Sequence, residues 1–206
     1  MSLSVSEVRA RLIGALHATP ASAEELRELD AALGDGDLGV TVKAGSLATA
    51  DAIAKLPSDA ALGEVLIATG KAFSTANPST FGALVGGGLL AAAKTVVGSQ
   101  VAGRGEALAM GRAVAARIAE RGKSQLGDKT VLDALVPSLD TLEAFESGGD
   151  ERALLDAMID TAERQVLATA ALQSKKGRAA WVQERSIGHA DPGATAWLRF
   201  LQAWRG

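Results

Sequence analysis

Apolar residues recur along most of this chain at helical spacing. Val5, Val8, Leu12 and Leu16 fall on one stripe, and Ser4 with Glu7 three residues on forms a capping box ahead of them. Ser22 and Glu25 repeat that signature for a helix through Leu33, where Gly34 stops it. After a sharp turn at Asp35, Gly36 and Asp37, the pattern Val40, Ala44, Leu47 predicts a helix from Leu38 to about Lys55, which Pro57 cannot continue. Ser58 or Asp59 is expected to cap the next helix, which reaches about Thr75 before Asn77, Pro78 and Ser79 break it. A further helix runs from Thr80 to about Val97. Its Gly86, Gly87 and Gly88 each cost ~0.5–1 kcal/mol relative to alanine, which points to a tight helix crossing.

Helices over 105–121, 130–146 and 151–174 follow, with 146–149 separating the last two. Pro192, after Asp191 as cap, opens a final helix to about Trp204. The stretch from Ser174 to Pro192 interrupts the pattern. It holds Lys175, Lys176, Arg178 and Arg185 with two glycines and His189, and it reads as a functional loop. The sum is an all-α protein: a barrel or bundle of about eight antiparallel helices joined by short turns, one domain over 1–206.

Composition sharpens this picture. Aromatic residues make up 3% and tyrosine is absent, so strand-forming runs are scarce. A formal net charge of -3 carries no basic excess to neutralise a nucleic-acid backbone or an anionic membrane, so neither is expected as a partner. The absence of cysteine excludes disulfides, thiolate zinc sites and a cysteine nucleophile. No signal-peptide pattern precedes the first capping box, and the longest apolar stretch, Ala83 to Ala93, falls short of the ~20 residues that span a bilayer. A cytoplasmic protein is expected.

Asp30, Asp35 and Asp37 are the densest chemical signal. Two carboxylates about 4 Å apart repel by on the order of 4 kcal/mol at an effective dielectric near 20, so three together call for a cation. Oxygen ligands with no clustered histidine or cysteine suit magnesium, which keeps places open for water and phosphate. An ordinary Asx turn with Asp37 capping the next helix is the alternative. The turn, however, feeds directly into a helix N-terminus at Leu38, Gly39, Val40 and Thr41, whose amides form an anion site. Trp181, Trp197 and Trp204 are core or interface candidates, and Trp197, Leu198, Phe200, Leu201 and Trp204 can pack inward or form a homodimer face.

The run from Leu29 to Gly39, then Gly127 to Thr130 with Asp133 and Ala134, then Lys176 to Ala179, then Glu184 to Ala194 resembles the nucleotide-binding L subunit of dihydroxyacetone kinases over nearly the whole chain. The resemblance implies a helical barrel that binds ADP or ATP at one end through two magnesium ions. It implies Asp30, Asp35 and Asp37 as metal ligands and no other catalytic residue. It implies a nucleotide site lined by Leu38, Gly39, Val40, Thr41, Thr80, Phe81, Gly122, Val131, Arg178, Asp191, Pro192 and Gly193. The partner it implies is a K subunit that holds the ketose, with a phosphotransferase-system phosphoprotein as a second candidate that would recharge ADP in place. The chain departs from the family's usual histidine at Leu38, asparagine at Thr41, and small residue then serine at Thr80 and Phe81. A kinase subunit for a four-carbon ketose, a non-catalytic nucleotide sensor and a helical scaffold are the other readings.

Overall fold

The computed structural model of the protein describes residues 2–146 and 150–206; most of the separator expected at 146–149 lies outside them. The helices are α1 (Val5–Ala18), α2 (Ala23–Leu33), α3 (Leu38–Ala54), α4 (Leu62–Ala76), α5 (Thr80–Ala93), α6 (Arg104–Gly122), α7 (Leu132–Ala144), α8 (Glu151–Thr169) and α9 (Pro192–Arg205). Each helix from α3 to α9 packs on the next, α1 packs on α3, and α9 returns to α1. Among the described residues, eight helices therefore form a closed ring, alternating in direction as short connections require. The ninth, α2, lies against α3 and α9.

Two apolar clusters fill the ring. Ile118, Leu135, Leu139, Ile159 and Leu198 lie in the cluster from α6–α9, and Val8, Leu16, Ile53, Leu62 and Val65 in the cluster from α1, α3 and α4. Where α4 crosses α5, the two backbones approach closely at glycines: a Cβ on Gly86 would meet the Gly70 carbonyl oxygen and the Ser74 side chain at 2.6 Å, and one on Gly70 would meet the Gly86 carbonyl oxygen at 2.8 Å. A Cβ on Gly88 would press on Val114 of α6, while one on Gly87 meets nothing within 4 Å. The aromatic C-terminus packs inward. Trp197 and Trp204 lie against the two clusters, with Phe200 stacked on Trp197 at 5.8 Å. Trp181, by contrast, is 81% exposed and belongs to no core.

Several boundaries differ from the sequence pattern. Ser22 makes no capping box, because a 3-10 turn at Thr19–Ser22 leads from α1 straight into α2 and its hydroxyl donates to the Thr19 carbonyl instead. Helix α4 starts three residues beyond Asp59, at Leu62; the Glu64 carboxylate accepts from the Ala61 N–H at 2.8 Å, and Ser58 and Asp59 lie in an exposed turn. Helix α5 ends at Ala93 rather than Val97, where Thr95 donates to the Ala92 carbonyl and Gly98 takes φ +72. Helix α8 ends at Thr169 rather than 174 because its end is held by the returning loop: Gly188 N–H donates to the Ala170 carbonyl and Asp191 N–H to the Thr169 hydroxyl. That loop contains a 3-10 segment, Arg178–Ser186, kinked at Gln183.

A two-stranded antiparallel sheet, β1 (Ser2–Ser4) with β2 (Val101–Gly103), was not legible in a pattern of helical periods. Three residues are too few to show alternation. It closes one end of the ring, where α1, α4 and α6 begin and Val5 and Leu62 N–H donate to the Gln100 and Ser99 carbonyls. The opposite end collects the starts of α3, α5, α7 and α9 with the ends of α4, α6 and α8.

Candidate functional site

Alternating helices bring the candidate metal and nucleotide residues to that opposite end. Asp30 lies on the last turn of α2, Asp35 and Asp37 in the turn before α3, and one carboxylate oxygen from each lies within 4.8 Å of the other two. Gly36 at φ +73 makes the bend possible. Asp37 occupies the position ahead of α3 with helical φ and ψ and makes no side-chain cap, so its carboxylate is not consumed by the backbone as a plain turn would have it.

Asp30 instead bridges the gap, accepting from the Leu38 N–H at 3.2 Å. Burial raises its pKa, the Leu38 bond opposes this, and the charges of Asp37 and Asp35 raise it further. Arg178 reaches the same turn from the loop after α8: its guanidinium pairs with Asp35 and lies 3.5 Å from Asp37. Asp35, then burial in opposition, then Asp37 govern its pKa, which is raised. One arginine against three carboxylates leaves a partly exposed, oxygen-rich cluster. That donor set fits a hard divalent cation such as magnesium.

The other candidates divide between the rim and the packing beneath it. Gly39 allows α3 to rest on α2, since a Cβ there would overlap the Ala23 carbonyl oxygen at 2.0 Å. Val40 is exposed next to it. Thr41 is wholly buried, and its hydroxyl accepts from the Asn77 side-chain amide at 2.8 Å, which ties α3 to the end of α4. Thr80 is exposed on the first turn of α5, which Ser79 caps by accepting from Gly82 N–H at 3.0 Å. Phe81 packs on Leu26, Leu38, Val42 and Ala196, forming an apolar floor directly below the acidic turn.

Gly122 ends α6 with Leu84 of α5 near it. Val131 precedes α7, and its N–H lies 3.3 Å from where a Cβ on Gly193 would stand, so α7 and α9 meet backbone to backbone. Pro192 begins α9, and Asp191 caps it by accepting from Ala194 N–H at 2.7 Å, as the sequence suggested. Asp191 is buried, and burial, with the charge of Asp133, pushes its pKa up to about 7 against the Ala194 bond and the Lys129 ammonium.

Two features were not assigned from sequence. Asp133 accepts from Gly127 N–H at 2.6 Å and Thr130 N–H at 2.7 Å, pinning the loop ahead of α7. Lys129, 2% exposed at φ +62, donates to the Leu172 and Ser186 carbonyls. A charged residue inside a Gly-Asp-Lys-Thr run was the available signal.

With this geometry in view, similarity to known proteins is informative. The DAK2 domain family matches residues 32–206. The chain is 34% identical over 182 residues to the PEP-dependent dihydroxyacetone kinase, ADP-binding subunit DhaL of Escherichia coli, covering 87% of this chain and 85% of that subunit. It is 34% identical over 199 residues to the L-erythrulose kinase of Pectobacterium atrosepticum, covering 95% of this chain but only 34% of that longer protein. The crystal structure of the dihydroxyacetone kinase from C. freundii in complex with AMP-PNP and Mg2+ superposes with a TM-score of 0.77 at 23% identity over 98% of this chain and 34% of that one, a likeness of fold.

Proposed function

The chain belongs to the DAK2 domain family, and from that premise we propose that it is the ADP- or ATP-binding subunit of a dihydroxyacetone-type kinase, a phosphotransferase. In this reading it delivers the phosphoryl group to a ketose held on a separate K subunit. The observation that carries the reading is the convergence of Asp30, Asp35 and Asp37 at the end of the barrel where four helices begin.

Asp30, Asp35 and Asp37 would hold two magnesium ions, whose chemistry is neutralisation of phosphate charge. The chain's own groups do the rest. The first turns of α3 and α5 present amides and positive dipole ends toward an anion, whereas the amides that open α9 are taken by the Asp191 cap. Arg178 adds a fixed cation beside the acidic turn and is the residue able to pair with a phosphate as it does with Asp35. Gly193, set close to Val131 and the Asp191 carboxylate, adds no side chain of its own between α7 and α9. Thr41 and Phe81 support the rim from below, so their departure from the family's usual residues alters packing before it alters ligand contacts. Catalysis then consists of positioning and charge neutralisation, with no nucleophile supplied by this chain.

Calorimetric titration with ADP, with and without magnesium, tests the reading. Tight binding that requires magnesium is expected, and Asp35→Ala should weaken it by about tenfold or more, 1.4 kcal/mol. Equal heats with and without the metal would count against it. Mixing with a K subunit and ATP should then phosphorylate dihydroxyacetone. The 37% identity to the D-erythrulose kinase of Mycolicibacterium smegmatis, over 84% of this chain and 30% of that protein, favours one second reading, a four-carbon ketose. Presenting both ketoses to the reconstituted pair separates the two. The E. coli relative is named PEP-dependent, and ADP that is rephosphorylated in place by a phosphotransferase-system protein is the corresponding expectation for the donor.

A further inference from the structure

Where the loop that carries Arg178 meets the acidic turn, it is held through exposed ion pairs of Arg178 with Asp35 and Asp37. Arg178 is exposed, Trp181 one 3-10 turn later is 81% exposed, and Gly177 before them stands at φ +62. Its feet are different. The Lys129 ammonium donates to the Leu172 carbonyl at 3.0 Å and to the Ser186 carbonyl at 2.6 Å, one on each side of the loop. The Ser186 hydroxyl accepts from Ser174 N–H at 2.9 Å and donates to the Gln183 carbonyl at 2.6 Å, at the kink. Lys175 N–H donates to the Asp128 carbonyl at 3.1 Å.

Lys129 is buried with carbonyls as its hydrogen-bond acceptors and the charge of Asp191 acting on it from a distance, which is costly compared with an apolar residue of the same length, and it also occupies a backbone conformation that L side chains seldom take. A residue kept under both penalties has a task that needs its donors. We propose that Lys129 is a positioning residue: it closes the loop between Leu172 and Ser186 and thereby sets Arg178 over the Asp30, Asp35 and Asp37 turn. The effect on nucleotide rests on the function proposed above; the closure itself rests on the contacts of Lys129.

Lys129→Met keeps the side-chain length and removes the donors. In the full-length chain, trypsin should cut after Lys175, Lys176, Arg178 or Arg185 about tenfold faster than in the wild type, with the far-ultraviolet circular dichroism unchanged. The affinity for ADP with magnesium should fall by about tenfold in Lys129→Met and in Arg178→Ala alike. Added to Arg178→Ala, the lysine change should cost less than about twofold, because its effect has already been removed. Unchanged cleavage, or a full second loss in the double variant, overturns the proposal. Should Lys129→Met not fold, Ser186→Ala, which retains the ammonium but loosens the same foot, must show both the faster cleavage and the weaker binding; wild-type values there overturn it equally. A wild-type chain that binds no ADP with magnesium would sink the nucleotide reading, while the cleavage rates still decide the closure.

Discussion

At the scale of single residues, Asp191 shows how one carboxyl can serve the fold and tax it. It caps α9, yet burial has moved its pKa from 3.8 to about 7. The folded chain therefore holds this proton to higher pH than the unfolded chain. Between about pH 4 and 7 stability falls as pH rises, by on the order of 4 kcal/mol in full; below that range both states are protonated and nothing is lost. Asparagine caps equally well and does not ionise. Thermal unfolding across pH should find Asp191→Asn more stable than the wild type at pH 8 and equal to it near pH 3.5; a constant difference would refute the assignment. The acidic turn was legible from residue type and spacing, because three carboxylates separated by one glycine bend have few ways to avoid each other. Its partner Arg178 lies far along the chain, and both the basic loop and the resemblance directed it to the nucleotide rather than to Asp35 and Asp37. The role of Lys129 was hidden, since it acts through the carbonyls of Leu172 and Ser186, far along the chain and without a side-chain signature, whereas Asp133 acts locally on the amides of Gly127 and Thr130.

At the scale of elements, helical periodicity gave the number and order of helices, and errors gathered at their ends. Ser22 and Ser58 have the right chemistry for caps, but a cap also needs extended backbone at its own position, and tertiary contacts decide that. Helix α8 was expected to run on to 174 because nothing in its sequence announces that Thr169 will be bonded by Asp191. The glycine triplet was read correctly as a crossing, and the structure divides its members. Gly86→Ala should destabilise by about 2–3 kcal/mol, since backbone stands where the methyl must go. Gly87→Ala, facing open space, should stabilise by about 0.4–1 kcal/mol. Urea denaturation of the pair measures the contrast, and similar midpoints would show that the crossing is looser than described.

At the scale of the whole molecule, the barrel separates a small sheet at one end from the site at the other, and no helix among the described residues is long and apolar enough to cross a membrane. Ligand at the site end should stabilise the entire ring. With magnesium and ADP at about 100 times its dissociation constant the gain is about 2.7 kcal/mol, or roughly 5–11 °C in melting temperature for a chain of this size. Scanning fluorimetry with and without magnesium reads it, and a shift produced by ADP alone would contradict the metal requirement. The Gly70 and Gly86 contact sets an order on the motions of this ring. Two staves whose backbones approach this closely at glycines have little room to slide past one another, so they open together or stay shut. Amide protons in the middle of α4 and α5 should consequently be the last to exchange with deuterium, after those of the staves that meet through side chains.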